Sequence, residues 1–398
     1  MSVYLERYAW PQELFPDYQP PDNLSLIVVI PCYKEPDLIG ALDSLNACKE
    51  THGQVLIIVI VNESEMASAE EHGANQQTLR ELTNYKSKLP LIISYQKLPV
   101  KKAGVGIARK IGMDEAVRIF RKAGNDGGIV CYDADCRCDA NYLDEIELTY
   151  ADPETKAGIV FYEHQLHGDN HRAIVDYELY LRYYIDALRD ALFPYAHQTL
   201  GSCITVRTSM YEKVGGMNTR KAGEDFYFLN KTIPHGKFVE INNTTIRPSD
   251  RVSDRVPFGT GKAVNDMLNS ADEYSVYHPN TFEDLKLFFS RAESFWTEDD
   301  WKIPMTLSTF LGDDWKKQIH DIKNKVSSLK AFKKRFFLWF DAFKILKFVH
   351  FCRDEFYQNV ELKEAIEWLR AKHFFLKGSK ESLLIQLRYL DRQTKKWI

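Results

Sequence analysis

Two aspartates separated by one residue, Asp133 and Asp135, directly follow the apolar run 128–132. If that run is a β-strand, both carboxylates point to the same side of the chain, because the side chains of an extended segment alternate. Two hard oxygen donors at a strand end suit Mg²⁺ or Mn²⁺ with coordination positions left open for phosphate oxygens. The spacing therefore predicts a divalent metal site, with an acidic turn or a helix cap as the alternative.

A second acidic pair, Glu224 and Asp225, opens a predicted helix over 224–232 that stops before Pro234. Acidic side chains in the first turn of a helix interact favourably with the helix dipole, which explains the pair without any catalysis. A carboxylate at this position can also act as a general base that takes the proton of a substrate hydroxyl. The two interpretations are compatible, and both remain open at this stage.

The elements that must position these side chains alternate regularly along the first third of the chain. Short runs rich in Ile and Val predict four buried strands, at 24–30, 54–61, 91–95 and 129–132. The segments between them predict helices at 37–48, 66–86 and 104–122. This alternation predicts an α/β protein with a mostly parallel central sheet that is covered by helices on both faces.

A polar segment follows each of the four predicted strands, at 33–35, 62–64, 101–106 and 133–135. Ligands of open α/β sheets bind beyond the carboxyl ends of the strands. The four segments therefore predict a cleft of nucleotide size at one edge of the sheet.

The third polar segment contains Lys102, Gly104 and Gly106, and Arg109 follows it. It is a poor dinucleotide fingerprint, because Arg109 stands where the third glycine should be. Glycines at a helix N-terminus can instead let the backbone approach a nucleotide phosphate. A helix that starts at a glycine, with solvated lysines beside it, explains the same residues.

Arginines recur every four residues at Arg247, Arg251 and Arg255. On a helix they would form a solvated ladder of ion pairs with the aspartates between them. The prolines and glycines of 247–261 favour a loop, on which guanidinium groups can bind a pyrophosphate through paired donors. We predict phosphate contact by Arg251 and Arg255.

Residues 24–261 resemble the family 2 nucleotide-sugar glycosyltransferases, which have the GT-A fold. The matching motifs, in family order, are Pro31-Cys32-Tyr33-Lys34-Glu35, Asn62-Glu63-Ser64, Lys102-Ala103-Gly104 through Arg109, Asp133-Ala134-Asp135 and Gly223-Glu224-Asp225. Lys34 replaces the family's usual asparagine, and Asn62-Glu63-Ser64 stands where the family commonly has Asp-Asp-Gly-Ser. The resemblance implies transfer of a sugar from a nucleotide-diphosphate donor, by family habit a UDP-sugar, with inversion at the anomeric carbon. The acceptor would be a hydroxyl of a glycan or a lipid-linked glycan in polysaccharide biosynthesis.

The resemblance also implies roles for individual residues. Asp133 and Asp135 would hold a divalent cation, Mn²⁺ or Mg²⁺. Asp225 would be the catalytic base, with Glu224 as the alternative or as a residue that binds the acceptor. The residues expected to bind the donor are Pro31, Tyr33, Glu35, Asn62, Glu63, Lys102, Gly104, Arg109, Asp133, Arg251 and Arg255.

Two other classes of protein remain open. One is a catalytically inactive protein that binds nucleotide sugars or acts as a scaffold. The other is a sugar nucleotidyltransferase, which usually has a Gly-rich loop with a basic residue directly after the first strand. This chain has Cys32-Tyr33-Lys34-Glu35 at that place, which argues against the nucleotidyltransferase.

Composition narrows the class of protein further. The formal net charge of −4 argues against general nucleic-acid binding, since no basic excess exists to neutralise phosphates. Seven cysteines, an odd number in a chain of 398 residues, predict reduced thiols and a cytoplasmic location. The cluster Cys131, Cys136 and Cys138 lacks the second pair of ligands that a structural zinc site requires. The sequence shows neither a secretory signal pattern nor an apolar run of ~20 residues.

We predict three parts of the chain: an N-terminal extension at 1–23, a GT-A transferase domain at 24–263 and a helical C-terminal region at 264–398. In the last part, 329–351 is basic and carries Phe332, Phe336, Phe340 and Phe343 at helical spacing. This aromatic face either lies on an anionic membrane surface, as a peripheral contact at the inner face, or packs on neighbouring helices.

Overall fold

The computed structural model of the protein describes residues 2–253, 259–269 and 273–393. It is an α/β structure in which helices flank a large, mostly parallel central sheet, and its C-terminal region is helical. The fold class predicted from the sequence is therefore confirmed at this level.

Ten strands are present in the described residues. In chain order they are β1 (Leu24–Cys32), β2 (Gln54–Ser64), β3 (Leu91–Leu98), β4 (Gly128–Cys131), β5 (Arg137–Cys138), β6 (Thr155–Tyr162), β7 (Ile204–Arg207), β8 (Lys237–Arg247), β9 (Ser275–Val276) and β10 (Val360–Glu361).

The helices of the described residues lie between and after these strands. The first nine are α1 (Val3–Arg7), α2 (Leu38–Asn46), α3 (Ala69–Asn84), α4 (Val105–Ala123), α5 (Tyr142–Ala151), α6 (His171–Asp190), α7 (Thr208–Lys213), α8 (Glu224–Thr232) and α9 (Thr260–Asn269). The others are α10 (Pro279–Ser290), α11 (Ser294–Thr297), α12 (Met305–Leu311), α13 (Trp315–Lys323), α14 (Leu329–Trp339), α15 (Ala342–Glu355), α16 (Leu362–Lys372) and α17 (Lys380–Gln393). Two short 3₁₀ helices span Gly201–Cys203 and Ile233–His235.

The central sheet has eight strands in the order β3-β2-β1-β4-β7-β6-β8-β5. The four strands predicted from the first third of the chain form its parallel half, with β1 paired to both β2 and β4. In the other half β7 runs antiparallel between β4 and β6, and β8 pairs parallel to β6. The carboxyl ends of β1, β2, β3 and β4 consequently share one edge, where their polar segments follow.

Strands β1, β2 and β4 of the parallel half are largely buried because they are apolar on both faces, whereas the edge strand β3 is mostly half-buried. Every residue of 26–30 on β1 and of 56–61 on β2 has an exposed fraction of zero. Helix α4 packs on β1 and β2, and a side chain at Gly112 would collide with Val29 of β1. This glycine therefore permits the close contact that fixes α4, and with it Arg109, on the sheet.

The N-terminal extension is bound along α4 by two buried carboxylates. Asp114 accepts hydrogen bonds from the Tyr4 hydroxyl and from the Trp10 backbone N–H, each at 2.6 Å. Glu115 accepts the backbone N–H groups of Leu14 and Phe15, both at 3.1 Å. Charged side chains on one helix thus satisfy backbone donors of a segment that has little secondary structure of its own.

The chain divides into two compact units. One comprises Met1–His167, Thr199–Lys262 and Tyr389–Ile398, and the other comprises Gly168–Gln198 and Ala263–Arg388. The eight-stranded sheet belongs to the first unit, whereas α6 belongs to the second. The domain boundary predicted at 263/264 stays a prediction. That prediction did not assign α6 to the second unit.

The second unit has an aromatic core. It includes phenylalanines of the face at 329–351 that was predicted either to contact a membrane or to pack on neighbouring helices. Phe332, Phe336 and Phe340 are fully buried. Phe336 packs against Phe288, with ring centroids 5.5 Å apart, and Phe340 packs at 5.1 Å from the same ring. These three rings are therefore used for packing inside the unit, whereas Phe343 of the same predicted face is partly exposed. Within the described residues, no helix is both long enough and apolar enough to cross a membrane.

Candidate active site

A buried arginine joins the two acidic pairs. Arg109 lies in the second turn of α4 and is only 2% exposed. Its Nη2 donates a hydrogen bond to Oδ1 of Asp133 at 2.6 Å, and its Nη1 donates to Oε1 of Glu224. The helix start, the segment after β4 and the start of α8 thereby meet at one guanidinium group. Both of its Nη atoms are engaged by carboxylates in this arrangement.

The charges of this cluster shift the protonation of its members. Burial opposes the charge of Arg109, but Asp133 and Glu224 together keep the pKa of its guanidinium above the ordinary value. Desolvation, followed by the neighbouring Glu224 carboxylate, raises the pKa of Asp225 from 3.8 to about 7, although Arg109 acts in the opposite direction. Asp225 can therefore exchange a proton near neutral pH, as a general base must.

The Asp225 side chain is held only lightly. Its Oδ1 accepts the backbone N–H of Phe226 at 2.7 Å, which is a contact of the first turn of α8. Among the described residues, no side chain donates a hydrogen bond to the Asp225 carboxylate. Asp225 as a whole residue is partly exposed, although its carboxyl group is desolvated.

A second cluster forms at the end of β1. Arg251, in the segment after β8, donates from Nη1 and Nη2 to the two carboxylate oxygens of Glu35, at 2.9 and 2.7 Å. Its Nη2 also lies 3.6 Å from Oδ2 of Asp135. The hydrogen bonds with Glu35 raise the pKa of Arg251, and desolvation lowers it by less. The pKa of Arg251 therefore lies above the ordinary value. The structure thus places Arg251 beside the Asp-x-Asp pair, while Arg255 lies outside the described residues.

The segment after β2 makes contacts with α3. Glu63 is buried, and its carboxylate contacts His72 Nδ1 at 3.0 Å and accepts Asn75 Nδ2 at 3.2 Å. Burial raises the pKa of Glu63, but hydrogen bonds from Tyr95, Asn75 and His72 hold it below the ordinary value. Asn62 is also buried, and its backbone carbonyl accepts a hydrogen bond from Asn75. These contacts fix Asn62 and Glu63 through α3 and β3 and not through the Arg109 cluster.

Asn75 also links this segment to the end of β1. Its Oδ1 accepts the backbone N–H of Lys34 at 2.9 Å, and the neighbouring Tyr33 hydroxyl donates to Glu71. Pro31 is buried within β1. The sequence did not single out Asn75, because a polar residue inside a polar helix carries no signal of burial.

The glycines of the third segment are explained by packing of the protein on itself. A side chain at Gly106 would collide with the carbonyl oxygen of Arg220 and approach the Glu224 Cβ to 3.2 Å. A side chain at Gly104 would lie 3.4 Å from the Lys221 Cα. The start of α4 therefore lies directly against the segment before α8, and Lys102 is exposed beside it.

Gly201 is a residue of this site that the sequence interpretation missed. A Cβ at this position would lie 2.7 Å from Nη2 and 2.8 Å from Nη1 of Arg109. The absence of a side chain here makes the room in which the buried guanidinium reaches both carboxylates. An isolated glycine in a short 3₁₀ turn gives no hint of such a distant contact.

We expect Gly201→Ala to destabilise the protein by about 1–3 kcal/mol, because the added methyl must displace an arginine that two ion pairs hold in place. Gly73→Ala is the matched control, since nothing lies within 4 Å of a Cβ at that position in α3. That change should stabilise by about 0.5–1 kcal/mol, as alanine is favoured over glycine inside helices. Urea unfolding of both variants measures the difference, and equal stability of the two would contradict the role of Gly201.

Asp133 and Asp135 are the two carboxylates of the acidic pair that could take part in binding a divalent cation. Among the described residues, no group of three or more His, Cys, Asp or Glu side chains could hold a metal ion. The side chains of Asp133 and Asp135 are 37% and 26% exposed, and no described residue donates to Oδ2 of Asp133. Mg²⁺-type sites commonly use one or two carboxylates and complete their coordination with water and substrate phosphates.

Comparisons with family models and with curated proteins give no match for this chain. Many solved structures are similar to it, and three of them illustrate the likeness. S. aureus TarS 1-349 in complex with UDP-GlcNAc shares 13% identity over 78% of this chain and 88% of that one, with a TM-score of 0.43. GalNAc-T7 with UDP, GalNAc and Mn²⁺ shares 14% identity over 78% of this chain and 56% of that one, with a TM-score of 0.39.

The third is the mannosyltransferase PcManGT from Pyrobaculum calidifontis in complex with GDP-Man and Mn²⁺. It shares 15% identity over 95% of this chain and 86% of that one, with a TM-score of 0.35. At these identities and TM-scores, the likeness assigns neither a family nor an activity to the chain.

Proposed function

We propose that this protein is a metal-assisted glycosyltransferase of the family 2 type, which moves a sugar from a nucleotide-diphosphate donor to a hydroxyl acceptor. The observation that supports it best is the bridge from Arg109 to Asp133 and Glu224. This bridge joins the Asp-x-Asp pair to the Glu-Asp pair, and the proposed reaction needs a function from each pair. One holds the leaving diphosphate, and the other accepts the proton of the attacking hydroxyl.

Asp225 is the catalytic base in this proposal. Its raised pKa, about 7, makes it a stronger base than an ordinary aspartate while leaving about half of it ionised near neutral pH. It takes the proton of the acceptor hydroxyl as the oxygen attacks the anomeric carbon from the side opposite the diphosphate. A single displacement of this kind inverts the anomeric configuration. Glu224 is engaged by Arg109 and acts by holding the start of α8.

Asp135 and the free Oδ2 of Asp133 are the oxygens that would hold a divalent cation, Mn²⁺ or Mg²⁺. When bound, such a cation neutralises the negative charge that grows on the leaving diphosphate. Arg251 contacts Glu35 and Asp135, and its guanidinium group would supply paired donors for the diphosphate beside the acidic pair. We assign the nucleoside of the donor to the segments after β1 and β2, with UDP as the proposed carrier and a glycan or lipid-linked glycan as the acceptor.

The first test is a thermal-shift series with UDP, GDP, CDP and ADP, each with and without Mn²⁺. We expect one diphosphate to raise the melting temperature and Mn²⁺ to increase the shift, because the cation and the diphosphate bind together. A ligand at a hundred times its dissociation constant stabilises the folded state by about 2.7 kcal/mol. In Asp135→Asn the increase caused by Mn²⁺ should be lost.

Asp313→Asn is the matched control, because Asp313 is exposed and belongs to the other compact unit. It should respond to nucleotide and Mn²⁺ as the native protein does. Absence of any shift with all four nucleotides would contradict the donor site. Nucleotide binding without hydrolysis of any sugar nucleotide would instead favour an inactive binding protein, and consumption of a nucleoside triphosphate with a sugar phosphate would favour a nucleotidyltransferase.

A further inference from the structure

Two cysteine thiols face each other beside the candidate active site. Cys48 follows the end of α2, and Cys138 ends the short strand β5. Their Sγ atoms are 3.8 Å apart, and both residues are half-buried. All seven cysteines of the chain are free thiols in the structure.

The two sulfurs have different sets of hydrogen-bond partners, although the Ser44 carbonyl oxygen lies near both, at 3.6 Å from Cys48 Sγ and 3.8 Å from Cys138 Sγ. Cys48 Sγ lies 3.6 Å from the carbonyl oxygen of Ser44 and 3.7 Å from that of Asp139, so its S–H has acceptors. Cys138 Sγ lies 3.4 Å from the Ser44 hydroxyl, and the Cys138 backbone N–H donates to the same hydroxyl at 2.8 Å. The Ser44 and Cys48 side chains can therefore both donate to the Cys138 sulfur.

These contacts favour a thiolate at Cys138. The hydrogen bond from Cys48 lowers the pKa of Cys138, desolvation opposes the shift, and the Ser44 hydroxyl adds to the lowering. The same thiol–thiol contact, together with burial, raises the pKa of Cys48. One sulfur thus has nucleophilic character, and the other keeps its proton as a resolving thiol next to it.

The cysteines that cluster with Cys138 in the sequence do not share this setting. Cys131 and Cys136 are fully buried. Burial raises the pKa of Cys131 to about 12 and that of Cys136 well above its ordinary value. The cysteines nearest to Cys138 in the sequence are therefore not its partners. Its partner is Cys48, 90 positions away in the chain.

We propose that Cys48 and Cys138 form a site of reversible oxidation, at which a peroxide joins the end of α2 to β5 by a disulfide bond. The Cys138 thiolate attacks one oxygen of hydrogen peroxide, the O–O bond breaks, and a sulfenic acid and hydroxide result. The Cys48 sulfur then attacks the Cys138 sulfur, the S–O bond breaks, and water leaves. In total, two thiols and one peroxide give one disulfide and two waters, so the sulfurs lose two electrons and the peroxide gains them.

The bond would add a covalent link at a place where β5 already connects the acidic pair to β8. Cys138 is three residues beyond Asp135 and pairs with Ile246 in the sheet. Arg137 forms an ion pair with Asp37, at the start of α2. The two segments are thus held together before oxidation. Forming an S–S bond of about 2.05 Å requires only that the two sulfur atoms move closer, because the segments that carry them are already in contact.

The test is treatment of the full-length protein with hydrogen peroxide, followed by a count of free thiols after denaturation. We expect the chain to lose two thiols, peptide mapping without reductant to find Cys48 linked to Cys138, and dithiothreitol to restore both thiols. In Cys48→Ser the link cannot form, and Cys138 should accumulate as a sulfenic acid that dimedone labels. Cys352→Ser is the matched control, because Cys352 is fully buried in the other compact unit, and this variant should still form the link.

Several outcomes would overturn the proposal. One is an unchanged thiol count at a peroxide concentration that oxidises free glutathione. Another is a set of cross-linked peptides in which Cys131, Cys136 or Cys203 replaces either residue. Cys138→Ser serves as a second variant, and it should lose both the link and the dimedone label. Melting temperatures of both serine variants, compared with that of the native protein, establish that a lost link reflects lost chemistry and not unfolding.

Discussion

Asp225→Asn is expected to lower the rate of sugar transfer by about 10²–10⁴-fold, the contribution typical of a general base. Asparagine is nearly isosteric with aspartate and keeps an oxygen that can accept the Phe226 backbone N–H. The loss should appear in kcat with little change in the binding of the nucleotide. In the native protein, kcat/KM for the proposed transfer should fall as the pH drops below about 7, where Asp225 becomes protonated.

The same substitution should stabilise the protein at high pH. The folded state binds the Asp225 proton up to pH about 7, whereas the unfolded chain releases it near 3.8. Between these values the native state binds more protons than the unfolded state, so the unfolding free energy falls as the pH rises. Asparagine has no such charge to desolvate. Its advantage over the native residue should therefore grow from about pH 4 and be complete above about pH 7.

Two measurements separate these claims. Transfer kinetics over a pH series test the base, and urea unfolding at pH 5 and pH 8 tests the burial of the charge. Asp313→Asn controls for the loss of a surface carboxylate and should change neither quantity. An Asp225→Asn variant that is active within a factor of ten would contradict the role of Asp225 as the base. A stability difference that does not depend on pH would contradict the raised pKa.

Arg109→Met is expected to destabilise the protein by about 3–5 kcal/mol, because it leaves buried negative charge without its partner. Glu224 is 3% exposed, and Asp133 loses its ion pair with the buried guanidinium. Methionine fills much of the volume of the arginine stem, so a cavity contributes little to the loss. Arg80→Met is the matched control, because Arg80 is exposed on α3, and it should change stability by no more than about 0.5 kcal/mol.

The double variant Arg109→Met/Glu224→Gln distinguishes charge from packing. Removing the Glu224 charge as well should recover part of the stability that Arg109→Met loses, since an unpaired buried charge is the main cost. Urea unfolding of the four proteins in this cycle gives the coupling energy. If the two losses simply add, the ion pair does not hold the site together.

The sequence was informative wherever structure depends on neighbours along the chain. Apolar runs predicted the four strands of the parallel half, and the predicted helix at 224–232 matches α8. The Asp-x-Asp pair follows β4 as predicted, because an apolar strand ended by polar residues is recognisable locally. Beyond residue 150 the same method could not place β7 antiparallel between β4 and β6, since strand order is not written in periodicity.

By itself the sequence determined the fold class, the four strands and three helices between residues 24 and 132, and the residue types available at one edge of the sheet. Only the tertiary structure decided which of these residues meet. Arg109 pairs with Glu224 over 115 positions, and Arg251 pairs with Glu35 over 216. Periodicity and propensity act over a few residues, whereas these ion pairs exist because tertiary packing brings distant segments together, and at Arg109 it also excludes water.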